Sequence, residues 1–154
     1  MASLTKEEIE EVRRTWAFVL TDIKGNGVEC FVRLFRAHPE YRKHFKSFDG
    51  LSEDELRTSF QLRGHAVTFM RGVSTFIDNL DDQDALSYVV RKVADNHVPR
   101  GVTMNHYKNL YVVLGEFLSE ALGEEYTDAA KEGWKKVTDT LTGVMSKRIE
   151  EMVK

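Results

Sequence analysis

The sequence predicts an all-α fold in a single domain. Its apolar residues recur at intervals of three and four along the chain, the spacing of one face of an α-helix. No stretch combines strict apolar–polar alternation with a hairpin turn, so a β-sheet is not expected. The chain has 154 residues, two prolines and no repeat or low-complexity tract. Because a chain of this length can bury one substantial core, we expect residues 1–154 to form one domain.

The composition excludes several classes of protein. A hydrophobic content of 42% and a charged content of 31% are typical of a soluble globular protein. The formal net charge of −3 gives no reason to expect nucleic acid or a membrane as a partner. Neither a signal peptide nor an apolar run of membrane-spanning length is present. Cys30 is the only cysteine, which excludes an intrachain disulfide and favours a cytoplasmic location. Its apolar neighbours predict a buried, unreactive thiol.

Two helices are predicted before the first proline. Thr5 and Glu8 have the spacing of a capping box, which begins a helix by satisfying its first backbone amides. The apolar face of this helix continues to Ile23, and we expect Gly25 and Gly27 to break it. The second helix should then bury one face, formed by Val28, Phe31, Val32 and Phe35.

The next segment is irregular and contains two phenylalanines. Pro39 suits the first turn of a short helix. Phe45 and Phe48 follow it among charged and glycine residues. Two interpretations are open for this pair. Large apolar side chains on a connection can fill the core, or they can clamp a flat apolar ligand.

Two further helices each carry a histidine on their apolar face. Ser52 and Glu55 repeat the capping box and predict one long helix, with His65 on its inner side. The polar segment 78–82 then leads into a helix that Pro99 ends. His97 continues the apolar stripe of that helix. The inner side of the long helix is formed by Leu62, Ala66, Phe69, Val73, Phe76 and Ile77, and the stripe of the next one by Leu86, Val89, Val90, Val93 and Ala94.

Two more helices complete the chain. His106 lies near the start of the first of them, where we expect it at the surface or at the edge of a pocket. Gly123 suits the C-terminal cap of this helix. The apolar faces of the two helices are Tyr107, Leu110, Tyr111, Leu114, Phe117 and Leu118, and then Ala130, Trp134, Val137, Leu141, Val144 and Met145.

The two histidines on apolar faces are the candidates for chemistry. A single histidine in such a position is more often a core residue bonded to a backbone carbonyl. It can also ligate a metal, while the carbonyl one turn back holds its other ring nitrogen. His65 and His97 alone make a poor zinc site, since zinc requires three or four protein ligands. An iron held by four equatorial nitrogens needs only one or two axial ligands, which is the haem arrangement.

Four motifs follow one another along the chain: Trp16 in the first helix, residues 34–40 with Phe45 and Phe48 after them, residues 62–67, and residues 93–97. With these motifs the chain resembles the globin family over nearly its whole length. It is most similar to intracellular invertebrate haemoglobins, including molluscan and nerve types, and around residues 73–96 also to neuroglobin and cytoglobin. Each matching motif is weak alone, but together and in order they are specific.

The resemblance implies a globin fold of seven to eight helices packed around a haem pocket, with haem b as the cofactor. His97 would be the proximal iron ligand and His65 the distal residue, able to ligate the iron when no gas is bound. The position of Phe69 more often holds a smaller aliphatic residue. The remaining residues expected to contact the cofactor or line its pocket are Phe45 as the clamp, Phe31 and Phe69 on the distal side, and Val93 and Tyr107.

The resemblance implies reversible binding of dioxygen for storage, transport or facilitated diffusion, with carbon monoxide and nitric oxide as further small ligands. A monomer or a homodimer is expected. Two alternatives are a haem enzyme that acts on nitric oxide or nitrite, and a redox or gas sensor. We identify no separate catalytic residues, because no Asp or Glu pair stands in an apolar setting.

Overall fold

All regular structure in the described part of the chain is helical. The computed structural model describes residues 3–45, 48, 50–97 and 103–152. Within these residues the predicted all-α fold is confirmed, with no β-strand. The α-helices are α1 (Lys6–Leu20), α2 (Ile23–Ala37), α3 (Glu53–Thr58), α4 (Phe60–Asp78), α5 (Gln83–His97), α6 (Met104–Leu122) and α7 (Asp128–Met152), with 3₁₀ helices at Pro39–His44 and Gly123–Glu125.

The predicted capping residues are confirmed. The Thr5 hydroxyl accepts from the Glu8 amide at 3.1 Å, and the Glu8 carboxylate accepts from the Thr5 amide at 2.8 Å. Ser52 and Glu55 make the same reciprocal pair before α3, with both distances 3.1 Å. Gly123 caps α6 with a φ of 54°, a backbone conformation that favours glycine. These local signals therefore act as the sequence predicts.

The predicted break at Gly25 and Gly27 is wrong. Helix α1 already ends at Leu20, and α2 begins at Ile23 and continues through both glycines. The Asp22 carboxylate accepts from the Gly25 amide at 3.1 Å and so caps α2, which begins at Ile23 and not at Val28 as expected. Because a glycine inside a helix costs only about 1 kcal/mol relative to alanine, capping and tertiary packing can override its effect.

Gly27 lies where α2 and α4 cross, and a side chain there would meet α4 closely. A Cβ atom at this position would lie 3.0 Å from the Cβ of Ala66 and 3.1 Å from the Cγ of Met70. Ala66 and Met70 are both fully buried, so neither can move aside into solvent. The glycine thus lets α4, the helix that carries His65, approach α2 closely.

Gly27→Val should lower the free energy of unfolding by about 1–3 kcal/mol, the usual cost of overpacking a core. Gly64→Val is the matched control, because a Cβ atom at Gly64 would meet nothing within 4 Å. We expect the control to change stability by no more than about 0.5 kcal/mol, since valine is the better helix former. Urea unfolding of the two variants under the same conditions measures this, and equal losses would show that the helix crossing does not require Gly27.

The long helix predicted after Ser52 is in fact two helices. Helix α3 ends at Thr58, and Ser59 has an extended backbone (φ −68°, ψ 123°) that interrupts the helical path. The Ser59 hydroxyl then accepts from the Leu62 amide at 3.2 Å and begins α4. The sequence prediction missed this break because the apolar spacing continues across it. The break forms because the Ser59 side chain can satisfy a backbone amide at the start of a new helix.

The connection between α4 and α5 is short and anchored. It comprises residues 79–82, as the polar segment predicts. Leu80 is only 3% exposed, and the Asp82 carboxylate accepts from the Ala85 amide at 3.1 Å at the start of α5. Helix α5 ends at His97. Pro99, which was expected to end it, lies outside the described residues.

The buried residues form two clusters. Trp16 and Trp134 pack in the first, 5.8 Å apart between ring centroids, and their indole N–H groups donate to Ser74 and Thr15 at 2.8 Å. The second cluster joins α2 to α3 and the start of α4. Phe69 contacts both clusters. No helix in the described ranges is both long enough and apolar enough to cross a membrane.

Candidate functional site

A cavity of about 440 Å³ is lined by residues of both clusters and by α4, α5 and α6. Its volume lies in the range of ligand sites in proteins, roughly 300–1,000 Å³. Its walls are mainly apolar and aromatic, with a few histidine and tyrosine side chains. The structure brings every residue that the sequence analysis assigned to the site into this one cavity: Phe31, Phe45, His65, Phe69, Val93, His97 and Tyr107.

His97 lies on the last turn of α5 with a defined ring orientation. Its Nδ1 atom is 2.7 Å from the Val93 carbonyl oxygen, one turn earlier in the helix. A carbonyl oxygen can only accept, so Nδ1 donates its proton to it, and in the neutral imidazole the lone pair is then on Nε2. This is the arrangement in which backbone carbonyls orient histidines that ligate metals.

The turn that carries His97 is tied to α7. The Arg148 guanidinium donates to both carboxylate oxygens of Asp95, at 2.6 and 3.3 Å. This bidentate pair holds the pKa of Asp95 below its usual value, mainly through the hydrogen bonds from Arg148. Arg148 also donates to Glu151 at 3.0 Å. The end of α5 therefore has a fixed position relative to α7.

His65 enters the cavity from α4 within a group of aromatic rings. Its ring centroid is 4.9 Å from the centroids of both Phe31 and Phe45, and each pair meets edge to face. Phe69, one turn later on α4, lies 5.3 Å from Phe31. The half-buried imidazole is thus held inside the cavity by apolar neighbours. Phe31 and Phe69 restrict the space around it.

The two phenylalanines of the irregular segment have different surroundings. Phe48 is 4% exposed and belongs to the second core cluster, so the interpretation as a core residue applies to it. Phe45 lines the cavity and stacks on Phe48, with their centroids 5.4 Å apart. Of the two residues, only Phe45 is therefore placed to clamp a ligand, and Phe48 supports its ring from the core.

The Tyr107 hydroxyl is a buried polar group on the cavity wall. The residue is 7% exposed, and among the described residues its hydroxyl has no hydrogen-bond partner. Its ring lies 6.1 Å from that of His97. Burial raises the pKa of Tyr107 above its usual value, so the phenol remains protonated at neutral pH. Since buried hydroxyl groups normally have a partner, this one indicates a cavity shaped for a ligand.

The sequence analysis missed part of the cavity wall. Tyr41 lines it, with its ring stacked on His38 at 4.7 Å and its hydroxyl accepting from Asn109 at 2.6 Å. His106, expected at a surface or an edge, is half-buried on the wall, 4.4 Å from the Tyr41 ring. A tyrosine after a proline turn is too weak a signal to assign to a site. The other missed residues are Leu34, Thr68, Gly72, Val73, Phe76, Leu110, Tyr111 and Met145.

The metal-binding side chains in the cavity suit an iron whose four equatorial ligands come from a cofactor and not from the protein. In the described ranges, no three His, Cys, Asp or Glu side chains converge to hold a metal ion by themselves. His97 instead offers one oriented imidazole nitrogen to an apolar cavity, and His65 offers a second imidazole. Haem requires one or two such axial ligands and an apolar enclosure, so the residues present fit it.

The globin family model matches residues 28–145. The chain belongs to the globin family. The matched region contains every residue of the cavity wall, from Phe31 to Met145. The resemblance to the globin family is thereby confirmed, and so is the globin fold.

Molluscan globins are among the relatives of this globin. It is 30% identical to a globin of Nerita albicilla over 145 residues, which covers 94% of this chain and 92% of the relative. It is 35% identical to a globin of Busycotypus canaliculatus over 124 residues, covering 79% and 84% of the two chains. It is 33% identical to globin-1 of Anadara broughtonii over 129 residues, covering 83% and 87%.

Proposed function

We propose that this globin holds one haem b with His97 as the proximal iron ligand and binds dioxygen reversibly. The observation that carries this proposal is the contact between His97 Nδ1 and the Val93 carbonyl oxygen, because it directs the other ring nitrogen, Nε2, to a ligand on the cavity side. When bound, haem supplies an iron(II) centre that can coordinate a diatomic gas. The protein supplies the axial nitrogen, a dry enclosure and a polar group on the distal side.

Non-covalent binding of haem is part of the proposal. Cys30 is fully buried, and burial raises the pKa of its thiol to about 12. A thiol in that state is a poor nucleophile. The sequence also lacks the Cys-x-x-Cys-His signature of covalent haem attachment. Cofactor retention would therefore depend on His97 and on the apolar contacts of Phe45 and the other wall residues.

The side of the cavity that holds His65, the distal side, would favour gas binding in two ways: it offers a polar group, and it excludes water. His65 can donate a ring N–H to a gas that carries partial negative charge. Phe31 and Phe69 surround this donor with apolar surface. Because His65 is held inside the cavity, we also propose that it ligates the iron when no gas is present. A gas would then have to displace it.

The visible spectrum of the purified protein tests the proposed function. We expect one haem per chain, and a reduced form whose spectrum changes with dioxygen and returns when the dioxygen is removed. A second assay measures how fast the protein converts nitric oxide or nitrite when a reductase keeps its iron reduced. This rate distinguishes a carrier from an enzyme. Rapid turnover together with irreversible oxidation by dioxygen would contradict a carrier function, and an absence of haem would contradict the proposal altogether.

Phe69→Val and Phe31→Leu should each speed the association of carbon monoxide several-fold, because both side chains occupy space beside His65. Each should lower the free energy of unfolding by about 1–3 kcal/mol. Flash photolysis measures the association rates. Phe117→Leu is the control, since Phe117 is 6% exposed but is not part of the cavity wall. It should cost similar stability and leave the kinetics unchanged. Unchanged kinetics in both test variants would remove these residues from the ligand route.

A further inference from the structure

Helix α5, which carries His97, has few buried residues. Three of its 15 residues are buried, whereas α4 buries six of 19. His97 is also the last residue of α5, and the last turn of a helix lacks a following turn that would satisfy its carbonyl groups. A helix end with so little buried surface opens easily. Burial alone therefore holds the turn that carries the proposed iron ligand only weakly. The three buried residues are Leu86, Val90 and Ala94.

Four charged side chains, which we call the clasp, join the last two turns of α5 to the end of α7. They are Arg91 and Asp95 on α5, and Arg148 and Glu151 on α7. Besides its two hydrogen bonds to Asp95, Arg148 donates to Glu151 at 3.0 Å, and Arg91 donates to Glu151 at 3.3 Å. Negative and positive charges thus alternate through the clasp. Partly exposed ion pairs contribute most when they are bidentate and belong to such a network.

Asp95 stands where the local structure of α5 disfavours a negative charge. It lies in the last turn of the helix, at the negative end of the helix dipole. Arg148, from α7, supplies the positive charge that this position requires. A residue that opposes the preference of its own helix is expected to serve a contact outside that helix. The carboxylate of Asp95 therefore indicates that the contact with α7 matters at this turn, two residues before His97.

We propose that Arg148 is a positioning residue for iron ligation, because through Asp95 it holds the last turn of α5 where His97 enters the cavity. The inference rests on the proposed function, in which His97 ligates the haem iron. The Val93 carbonyl sets the orientation of the imidazole within α5, whereas Arg148 sets where this end of α5 lies relative to α7. Met145, one turn before Arg148 on α7, is part of the cavity wall. One helix thus supplies both the wall and the contact that places the ligand against it.

Amide hydrogen exchange of the full-length protein, as purified, tests the clasp itself. In Arg148→Met the amides of the last turn of α5 should exchange about fivefold faster, the upper range for loss of a partly exposed ion pair. Asp95→Asn should have the same effect. The direction is decisive, because removing a negative charge from the end of an isolated helix would slow this exchange. Unchanged or slower exchange in Asp95→Asn would overturn the proposal.

The rate of haem loss separates positioning from general stability, with Arg33→Met as the matched control. The Arg33 guanidinium also joins two helices, since it donates to Glu29 on α2 at 3.0 Å and to Glu120 on α6 at 2.8 Å. Its side chain is 22% exposed and that of Arg148 is 27% exposed. We expect the two variants to lower the midpoint of urea unfolding similarly. Only Arg148→Met should speed the transfer of haem to an apoglobin acceptor, about fivefold. Equal acceleration in both variants would refute a specific role for Arg148.

The bond between the iron and His97 gives a spectroscopic test. In a His65→Leu background, resonance Raman spectroscopy of the reduced protein detects the stretching band of this bond. Arg148→Met should shift or broaden the band, and Arg33→Met should leave it unchanged. If His97→Gly loses haem but Arg148→Met keeps the wild-type rate of haem loss and the wild-type band, only the role of Arg148 is refuted. Haem retention by His97→Gly would instead refute the proposed function.

Discussion

His97→Gly should yield a folded protein that loses its haem on dilution. The substitution removes the imidazole whose Nδ1 contacts the Val93 carbonyl oxygen at 2.7 Å, and with it the proposed axial nitrogen. Loss of a partner that merely orients a metal ligand costs about 10–100-fold in affinity. Loss of the ligand itself should cost more. Transfer of haem to an excess of an apoglobin acceptor measures the rate of loss, and added imidazole should slow that transfer.

The control for this prediction is Asn96→Gly. Asn96 is exposed on the same turn of α5, so the exchange introduces the same helix-weakening residue without touching the cavity. It should retain haem as the wild type does. If His97→Gly kept its haem content and spectrum, His97 would not be the proximal ligand. If both variants lost haem equally, fraying of α5 rather than a missing bond would be the cause.

His65→Leu should change the spectrum of the reduced, gas-free protein more than any other distal substitution. With His65 in place we expect the sharp, split visible bands of iron with two axial nitrogens. The variant should show one broad band. Its association with carbon monoxide should be faster, because the wild-type site is open only for the fraction of time that the imidazole is displaced. Its dissociation of dioxygen should be about tenfold faster or more, because a hydrogen bond to a charged group is lost.

His65→Gln separates the two roles of this side chain. Glutamine retains an N–H donor but is not an imidazole ligand. It should therefore give the broad band together with slower dioxygen dissociation than His65→Leu. A broad band in the unmutated protein would refute iron ligation by His65 and leave only its role as a donor. Equal dissociation rates in the two variants would in turn refute the donor role.

The class of fold and the buried faces could be predicted because helical periodicity is a local property. Of the apolar positions assigned to α2, all four are buried: Val28, Phe31, Val32 and Phe35. The capping boxes before α1 and α3 were correct for the same reason, since donor and acceptor lie three residues apart. The orientation of His97 by the carbonyl one turn back is also local to α5.

Helix boundaries were less predictable where a contact outside the helix competes with propensity. Gly25 and Gly27 suggested a break, but the Asp22 cap and the crossing with α4 keep both glycines helical. At Ser59 the spacing of apolar residues continues without interruption, although α3 ends there and α4 begins. In each case the spacing of apolar residues describes one helix face, whereas the ends depend on which amides find a cap.

The sequence by itself determined the helical class, the faces that are buried and the place of His65 and His97 on two of those faces, because these depend on spacing within a helix. Only the tertiary structure decided that Phe48, the neighbour of Phe45 in the irregular segment, packs in the core and supports the Phe45 ring from there. It likewise decided that Tyr41 and His106 meet at the wall of the cavity. These features arise where side chains distant in sequence meet, and their separation along the chain carries no periodic signal.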